Sequence, residues 1–112
     1  MSKATTTNTI PLYDVFEREM ALFRRNVQIL SLVHQKQSIG LVRMSRETGL
    51  PIHKVRYSFK ILEGEGLIEA KPRGASPTPQ TKPFLENISG LLGTFKTEFD
   101  DLEKTIQGEL SK

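Results

Sequence analysis

The chain has 112 residues, of which 37% are hydrophobic and 26% are charged, a composition typical of a globular domain and one that excludes a wholly disordered chain. It contains no cysteine, which excludes disulfides, thiolate zinc sites and cysteine nucleophiles. The net charge of +3 is unevenly distributed: seven basic and four acidic residues lie at 39–73, whereas the last 39 residues carry four lysines and six acidic residues. This split predicts a core that binds a polyanion and an acidic appendage that does not.

The first predicted helix follows a polar segment. Residues 1–10 are rich in threonine and are expected to form a flexible tail without the apolar core of a signal peptide. From Pro11 to about Gln35, apolar residues recur at spacings of three and four, which is typical of an amphipathic helix. That stripe consists of Phe16, Met20, Phe23, Val27 and Leu30. Because no apolar run approaches the roughly 20 residues of a membrane span, the sequence predicts a cytoplasmic protein with no membrane partner.

Two helices joined by a tight turn are expected next. The segment LVRMSRETG directs Leu41 and Met44 inward and ends at Gly49, a residue type common at the ends of helices. Pro51 suits the first turn of the following helix, because a proline there loses no hydrogen bond. That helix is predicted to end near Gly64. Its buried face is expected to comprise Ile52, Val55, Phe59 and Leu62.

A β-hairpin is predicted after these helices. The segment GLIEA is strand-like, KPRG is a turn, and ASPTPQT can return as a second strand. Pro77 and Pro79 cannot donate hydrogen bonds to a ladder, so we expect this hairpin to be short and to lie at an edge.

The last segment, residues 83–112, has the heptad pattern of a coiled-coil helix. Such a helix of about 28 residues is roughly 42 Å long, so its single apolar stripe predicts a partner helix, most simply from a second chain. The alternative is that the helix folds back on the stripe of the first helix. Flanking charges favour an antiparallel pair, which brings Lys96 near Glu103, over a parallel pair, which sets Glu98 near Glu103. The predicted dimer interface consists of Leu85, Ile88, Leu92, Phe95, Phe99, Leu102 and Ile106.

A basic strip is predicted on the exposed side of the third helix. Ordinary solvated helices mix charges of both signs to gain pairs four residues apart, but no acidic residue lies between Pro51 and Leu62. This pattern is typical of a surface that faces phosphate. The basic strip consists of His53, Lys54, Arg56, Tyr57 and Lys60.

Each residue type in the basic strip suits a contact with nucleic acid. Arg56 can donate two hydrogen bonds to guanine, Tyr57 can contact a phosphate or a thymine methyl group, and Lys54 and Lys60 suit phosphates. His53 is interpreted as a phosphate neighbour rather than a metal ligand, because no second ligand accompanies it. Further basic residues that can contact the phosphate backbone are Lys71 and Arg73 in the predicted hairpin turn and Arg43 and Arg46 on the second helix.

These assignments have alternatives. Arg56 can pair with Glu47 or another nearby acid, Tyr57 can pack against the first helix, and Arg43 and Arg46 can simply be solvated. The sequence supports a contact with the phosphate backbone less well for Arg24 and Arg25 than for any of these residues.

The segment LVRMSRETGLPIHKVRYSFKILEGEGLIEAKPRGA resembles the small archaeal winged-helix DNA-binding proteins, especially those with a long C-terminal dimerisation helix. The resemblance covers roughly half of the chain. It implies a mainly α (α+β) fold, with a winged helix-turn-helix domain at residues 11–82 and a dimerisation helix at 83–112. It further implies a homodimer that places the third helix in the major groove of double-stranded DNA. The proline-rich second strand departs from the pattern and argues against insertion of the wing into the minor groove.

No catalytic motif is recognisable: the chain has no phosphate-binding G-x-x-x-x-G-K-[ST] loop and no H-E-x-x-H pair. We therefore expect a protein that is not an enzyme and that needs no cofactor and no metal. The sequence favours a transcription regulator or a nucleoid-associated architectural protein. The alternative is an adaptor that binds other proteins, since winged helices also serve that role.

Overall fold

The computed structural model describes residues 11–112, which are mainly helical with one small antiparallel sheet. The tail predicted for residues 1–10 lies outside the described residues. The described residues extend over 60 × 32 × 22 Å, so the molecule is elongated. The elements are α1 (Pro11–Lys36), α2 (Leu41–Thr48), α3 (Ile52–Gly64), β1 (Ile68–Lys71), β2 (Gly74–Pro77) and α4 (Thr81–Leu110).

The hydrophobic core lies at one end of the molecule, around the C-terminal half of α1. Only this half of the predicted α1 stripe is well covered: Leu30 is fully buried, whereas Phe16 and Met20 remain 49% and 40% exposed. The buried cluster draws on every element before α4 and on the connections between them. It comprises Ile29, Leu30, Val33, Ile39, Met44, Val55, Leu62, Leu67, Ile68 and Ala75.

The turn between α2 and α3 has the predicted glycine. Gly49 adopts φ 77° and its N–H donates to the Ser45 carbonyl at 2.9 Å; this left-handed conformation is one that glycine accepts without a steric penalty. The Ser45 hydroxyl in turn donates to the Leu50 carbonyl at 2.6 Å. These bonds tie the turn that leads into α3 to the end of α2.

The buried face of α3 is narrower than predicted. Val55 and Leu62 are buried, but Phe59 is only partly buried and Ile52 is 38% exposed, so its prediction as a core residue was wrong. Seven residues make nearly two helical turns, so Ile52 lies above Phe59 at the edge of the face. At the first residue of α3 there is also less surrounding chain to cover it. Ser58, which the apolar pattern passed over, is fully buried instead.

The β-hairpin is short, as predicted, and is joined to the connection between α1 and α2. Ile68 pairs with Pro77 and Lys71 pairs with Gly74. On the other side of β2, Ala75 exchanges two backbone hydrogen bonds with Ile39, of 2.9 and 3.0 Å. β2 therefore has hydrogen-bonded partners on both sides at this point, which fixes the hairpin beside the start of α2.

Helix α4 begins at Thr81 rather than at Pro83, after a turn in which two threonine hydroxyls accept backbone hydrogen bonds. The Thr78 hydroxyl accepts from the Gln80 N–H at 3.1 Å, and the Thr81 hydroxyl accepts from the Thr78 N–H at 2.8 Å. Thr81 is fully buried and also donates to the Leu67 carbonyl at 2.7 Å, which ties the start of α4 to the core.

Beyond the core, α4 runs antiparallel to α1. Phe84 lies beside Leu30 near the core, and the rings of Phe16 and Phe99 meet edge to face at a centroid distance of 6.2 Å further out. Part of α4 therefore folds back on α1, the alternative that the sequence left open. Ile88 is buried within the protomer, whereas the seam residues from Leu92 to Ile106 stay exposed. Within residues 11–112, no helix combines the length and the apolarity needed to cross a membrane.

Candidate nucleic-acid interface

The basic strip lies along the solvent side of α3, and all five of its residues are exposed. Val55, Ser58 and Leu62 anchor the opposite side of the helix in the core. Positions 53, 56, 57 and 60 follow one another at helical spacing, so their side chains lie on adjacent turns of one face. The strip is therefore a continuous surface on a helix whose other side is buried in the core.

The cations of the basic strip have no carboxylate partner within residues 11–112. The ion pairs in this part of the chain are Lys36–Glu47, Arg43–Glu47, Lys71–Glu69 and Lys112–Glu109. Glu47, which the sequence considered as a partner for Arg56, lies instead 2.8 Å from Arg43 and 3.9 Å from Lys36. The positive charge of Arg56 is thus not balanced by a neighbouring acid.

The two arginines of α2 differ in their surroundings. The hydrogen bond from Arg43 holds the pKa of Glu47 below its ordinary value, partial desolvation opposes this, and the charges of Lys36, Arg43 and Arg46 reinforce it. Arg43 is therefore paired with an ionised carboxylate at neutral pH. Arg46 is exposed and makes no ion pair within residues 11–112, so it is the α2 arginine better able to bind an anion.

Arg25 of α1 reaches the basic strip, a contact that the sequence did not predict. Its Nε donates to the hydroxyl of the buried Ser58 at 3.1 Å. Its guanidinium carbon lies 6.0 Å from the centroid of the Tyr57 ring, at the limit of a cation–π contact. Tyr57 thus packs in part against the first helix while remaining 53% exposed. Arg25 and Ser58 are 33 residues apart in the sequence. Their contact therefore depends on how α1 and α3 pack, which no local sequence pattern indicates.

The hairpin turn carries the two predicted basic residues beside the start of α2. Lys71 and Arg73 line a cleft of about 400 Å³ together with Arg43 and Phe59. Lys71 is 3.9 Å from Glu69, and such exposed pairs contribute only about 0–1 kcal/mol. Arg73 is exposed and has no carboxylate at ion-pair distance within residues 11–112. The hairpin therefore adds positive charge next to α2 and α3. The nearby Glu69 carboxylate offsets part of the charge of Lys71.

The residues predicted to contact nucleic acid, apart from Arg46, form two groups in the structure. The basic strip occupies α3, and Arg43, Lys71 and Arg73 surround the neighbouring cleft. His53 is exposed, and the described residues contain no group of three or more histidines and carboxylates that could hold a metal ion. No protein-family model matches this chain, and no curated protein matches it.

Proposed function

We propose that this chain is a winged helix-turn-helix protein that binds double-stranded DNA as a homodimer. The observation that carries the proposal is the basic strip: five exposed residues on one helix, with no acidic residue among them and no ion pair to any of their cations within residues 11–112. The element order supports it, because two helices joined by a glycine turn precede a hairpin, as in a helix-turn-helix with a wing.

In this proposal α3 enters the major groove, which admits one α-helix. Arg56 contacts base edges from the middle of the strip, while Lys54 and Lys60 contact phosphates on either side. Arg73 contacts the backbone from the hairpin, and Arg46 contacts it from α2. Arg25 acts through Tyr57, whose ring it holds in place.

The biological role follows from the chemistry of the contacts. Phosphate contacts give affinity without sequence information, and base contacts give specificity. A transcription regulator needs both, whereas a nucleoid-associated architectural protein needs mainly the first. The basic strip offers one residue suited to bidentate base contact, Arg56, among several suited to phosphate.

The salt dependence of binding to a random-sequence duplex of about 30 base pairs, followed by fluorescence anisotropy, tests the function. Neutralising about four phosphates by each protomer gives a log–log slope near −7 for the dimer, and raising the salt from about 50 to 200 mM then lowers the affinity by roughly 10³ to 10⁵. Persistence of binding near physiological salt would favour an architectural protein over a regulator. Absence of binding even at low salt would refute the proposal and favour the protein-binding adaptor.

A charge-reversal pair tests the assignment of α3. The double variant Arg56→Glu and Lys60→Glu is expected to abolish binding, because it places two acids where phosphates approach. The matched control, Lys82→Glu and Lys104→Glu, makes the same change in net charge on exposed positions of α4. Equal losses in the two double variants would mean that total charge, and not the α3 surface, determines binding.

A further inference from the structure

A large apolar surface extends beyond the core along the two antiparallel helices. We call residues 11–23 of α1 and 91–110 of α4 the arm. Between them lies an open groove of about 450 Å³, lined mainly by Phe16, Met20, Phe23, Leu92, Phe95 and Phe99. Exposure of the groove residues is intermediate, for example 40% for Met20 and 38% for Phe95, and it rises to 79% at Leu12 and 72% at Leu110 near the tip.

The area of this surface exceeds what a monomer normally exposes. The largest apolar patch on a typical monomer measures about 300–600 Å². If a large apolar residue exposes about 200 Å² when fully accessible, the exposed fractions of ten of the arm's large apolar residues correspond to roughly 1,000 Å². A stable dimer buries about 800 Å² on each partner. The ten residues are Leu12, Phe16, Met20, Leu91, Leu92, Phe95, Phe99, Leu102, Ile106 and Leu110.

We propose that two copies of this chain associate through their arms into a four-helix bundle to which α1 and α4 contribute together. This deepens the homodimer of the proposed function and rests on it. Within one protomer, the helix pair covers each groove side chain on one side only, which accounts for exposed fractions near one half. A second helix pair packed over the groove covers the other side. Four-helix bundles bury apolar stripes of this kind around a common core.

A second copy matches the groove better than the segment that precedes the arm in the sequence. Residues 1–10 precede the arm, but Met1, Ala4 and Ile10 are their only apolar residues, too few to match an apolar face of this area. A second arm presents a matching apolar face, because a two-fold interface uses the same patch on both partners.

The charged residues of the groove agree with this arrangement. Glu19 of α1 and Lys96 of α4 line it and have opposite charges. A two-fold axis along the groove sets α1 of one copy beside α4 of the other, and so turns Glu19 toward Lys96 of the second copy. The alternative, in which α4 alone pairs with α4, leaves Glu19 outside the contact.

The mass of the full chain in solution, measured by sedimentation equilibrium without DNA, tests the proposal. We expect twice the monomer mass of 12.7 kDa. Leu12→Asp and Leu102→Asp, one in each helix, change residues that are 79% and 59% exposed in the protomer, so neither should unfold it. Because each substitution removes an apolar contact twice in the dimer, each is expected to weaken dimerisation by at least about 100-fold.

The matched control is Arg18→Asp, which introduces the same acid on the exposed outer side of α1 and is expected to leave the dimer intact. A monomer at micromolar concentration would overturn the proposal and leave the arm to a different partner. A dimer sensitive to Leu102→Asp but not to Leu12→Asp would also overturn it, in favour of pairing through α4 alone.

A charge exchange adds an independent criterion. Glu19→Lys and Lys96→Glu should each weaken the dimer, and the double variant should recover most of the loss. If the dimer is recovered by combining Lys96→Glu with Glu103→Lys, and not with Glu19→Lys, the result would indicate that α4 pairs antiparallel with α4 of the second copy. Since mass is measured without DNA, a failed dimer is distinguishable from a failed DNA interface, which the α3 charge reversal tests separately.

Discussion

Replacement of Gly74 by alanine is expected to destabilise the protein through the hairpin. Gly74 has φ 133°, a conformation that residues with a side chain rarely adopt, and a Cβ built there lies 2.6 Å from the carbonyl carbon and oxygen of Ile39. These are backbone atoms, so the contact is relieved only by moving the hairpin away from Ile39. That movement breaks the two hydrogen bonds between Ile39 and Ala75.

The magnitude follows from these two terms. The unfavourable φ costs about 1–3 kcal/mol, and each of the two lost hydrogen bonds costs about 0.5–1.5 kcal/mol, so Gly74→Ala should lower the free energy of unfolding by about 2–6 kcal/mol. Urea unfolding followed by circular dichroism measures it, at one fixed chain concentration because the stability of the proposed dimer would depend on concentration. Gly64→Ala is the control: no atom lies within 4 Å of its Cβ, and the change should be neutral or stabilising by up to about 1 kcal/mol. A loss below about 1 kcal/mol for Gly74→Ala would refute the close approach of β2 to Ile39.

Two further predictions concern the start of α4 and an ion pair on α2. Thr81→Val keeps the shape of the side chain but leaves the Leu67 carbonyl and the Thr78 N–H without their partner, so it should cost about 1–3 kcal/mol in urea unfolding; an equal cost for the exposed Thr105→Val would contradict this. Because Arg43 lowers the pKa of Glu47 from 4.5 in the folded protein, the ionised carboxylate contributes stability that is present above pH 4.5 and is lost as the pH falls through the lowered value. The difference in urea midpoint between the wild type and Glu47→Gln should therefore shrink between neutral pH and about pH 3, and a difference independent of pH would exclude the ion pair.

Local features were predictable from the sequence because they depend on residues close together in the chain. Helix periodicity gave α1 and α3 to within one or two residues, and Gly49 marked the turn between α2 and α3, since both signals arise within a few residues. The composition of the basic strip was likewise visible, because helical spacing alone sets which residues share a face. Its exposure in the structure agrees with that expectation, while its partner stays a prediction.

Contacts between distant segments needed the tertiary structure. Arg25 and Ser58, and likewise Ile39 and Ala75, pair across 30 or more residues, and no local pattern records which helices or strands come together. The same limit applies to α4: its heptad stripe requires a covering surface, but α1 of the same chain and α4 of another chain satisfy that pattern equally well. Only the packing of Ile88 into the core and of Phe99 against Phe16 decides that α1 covers one side. The sequence by itself determined which surfaces are apolar or basic, because that depends on residue identity and helical spacing. The tertiary structure decided which of those surfaces meet, because burial depends on where the chain returns in space.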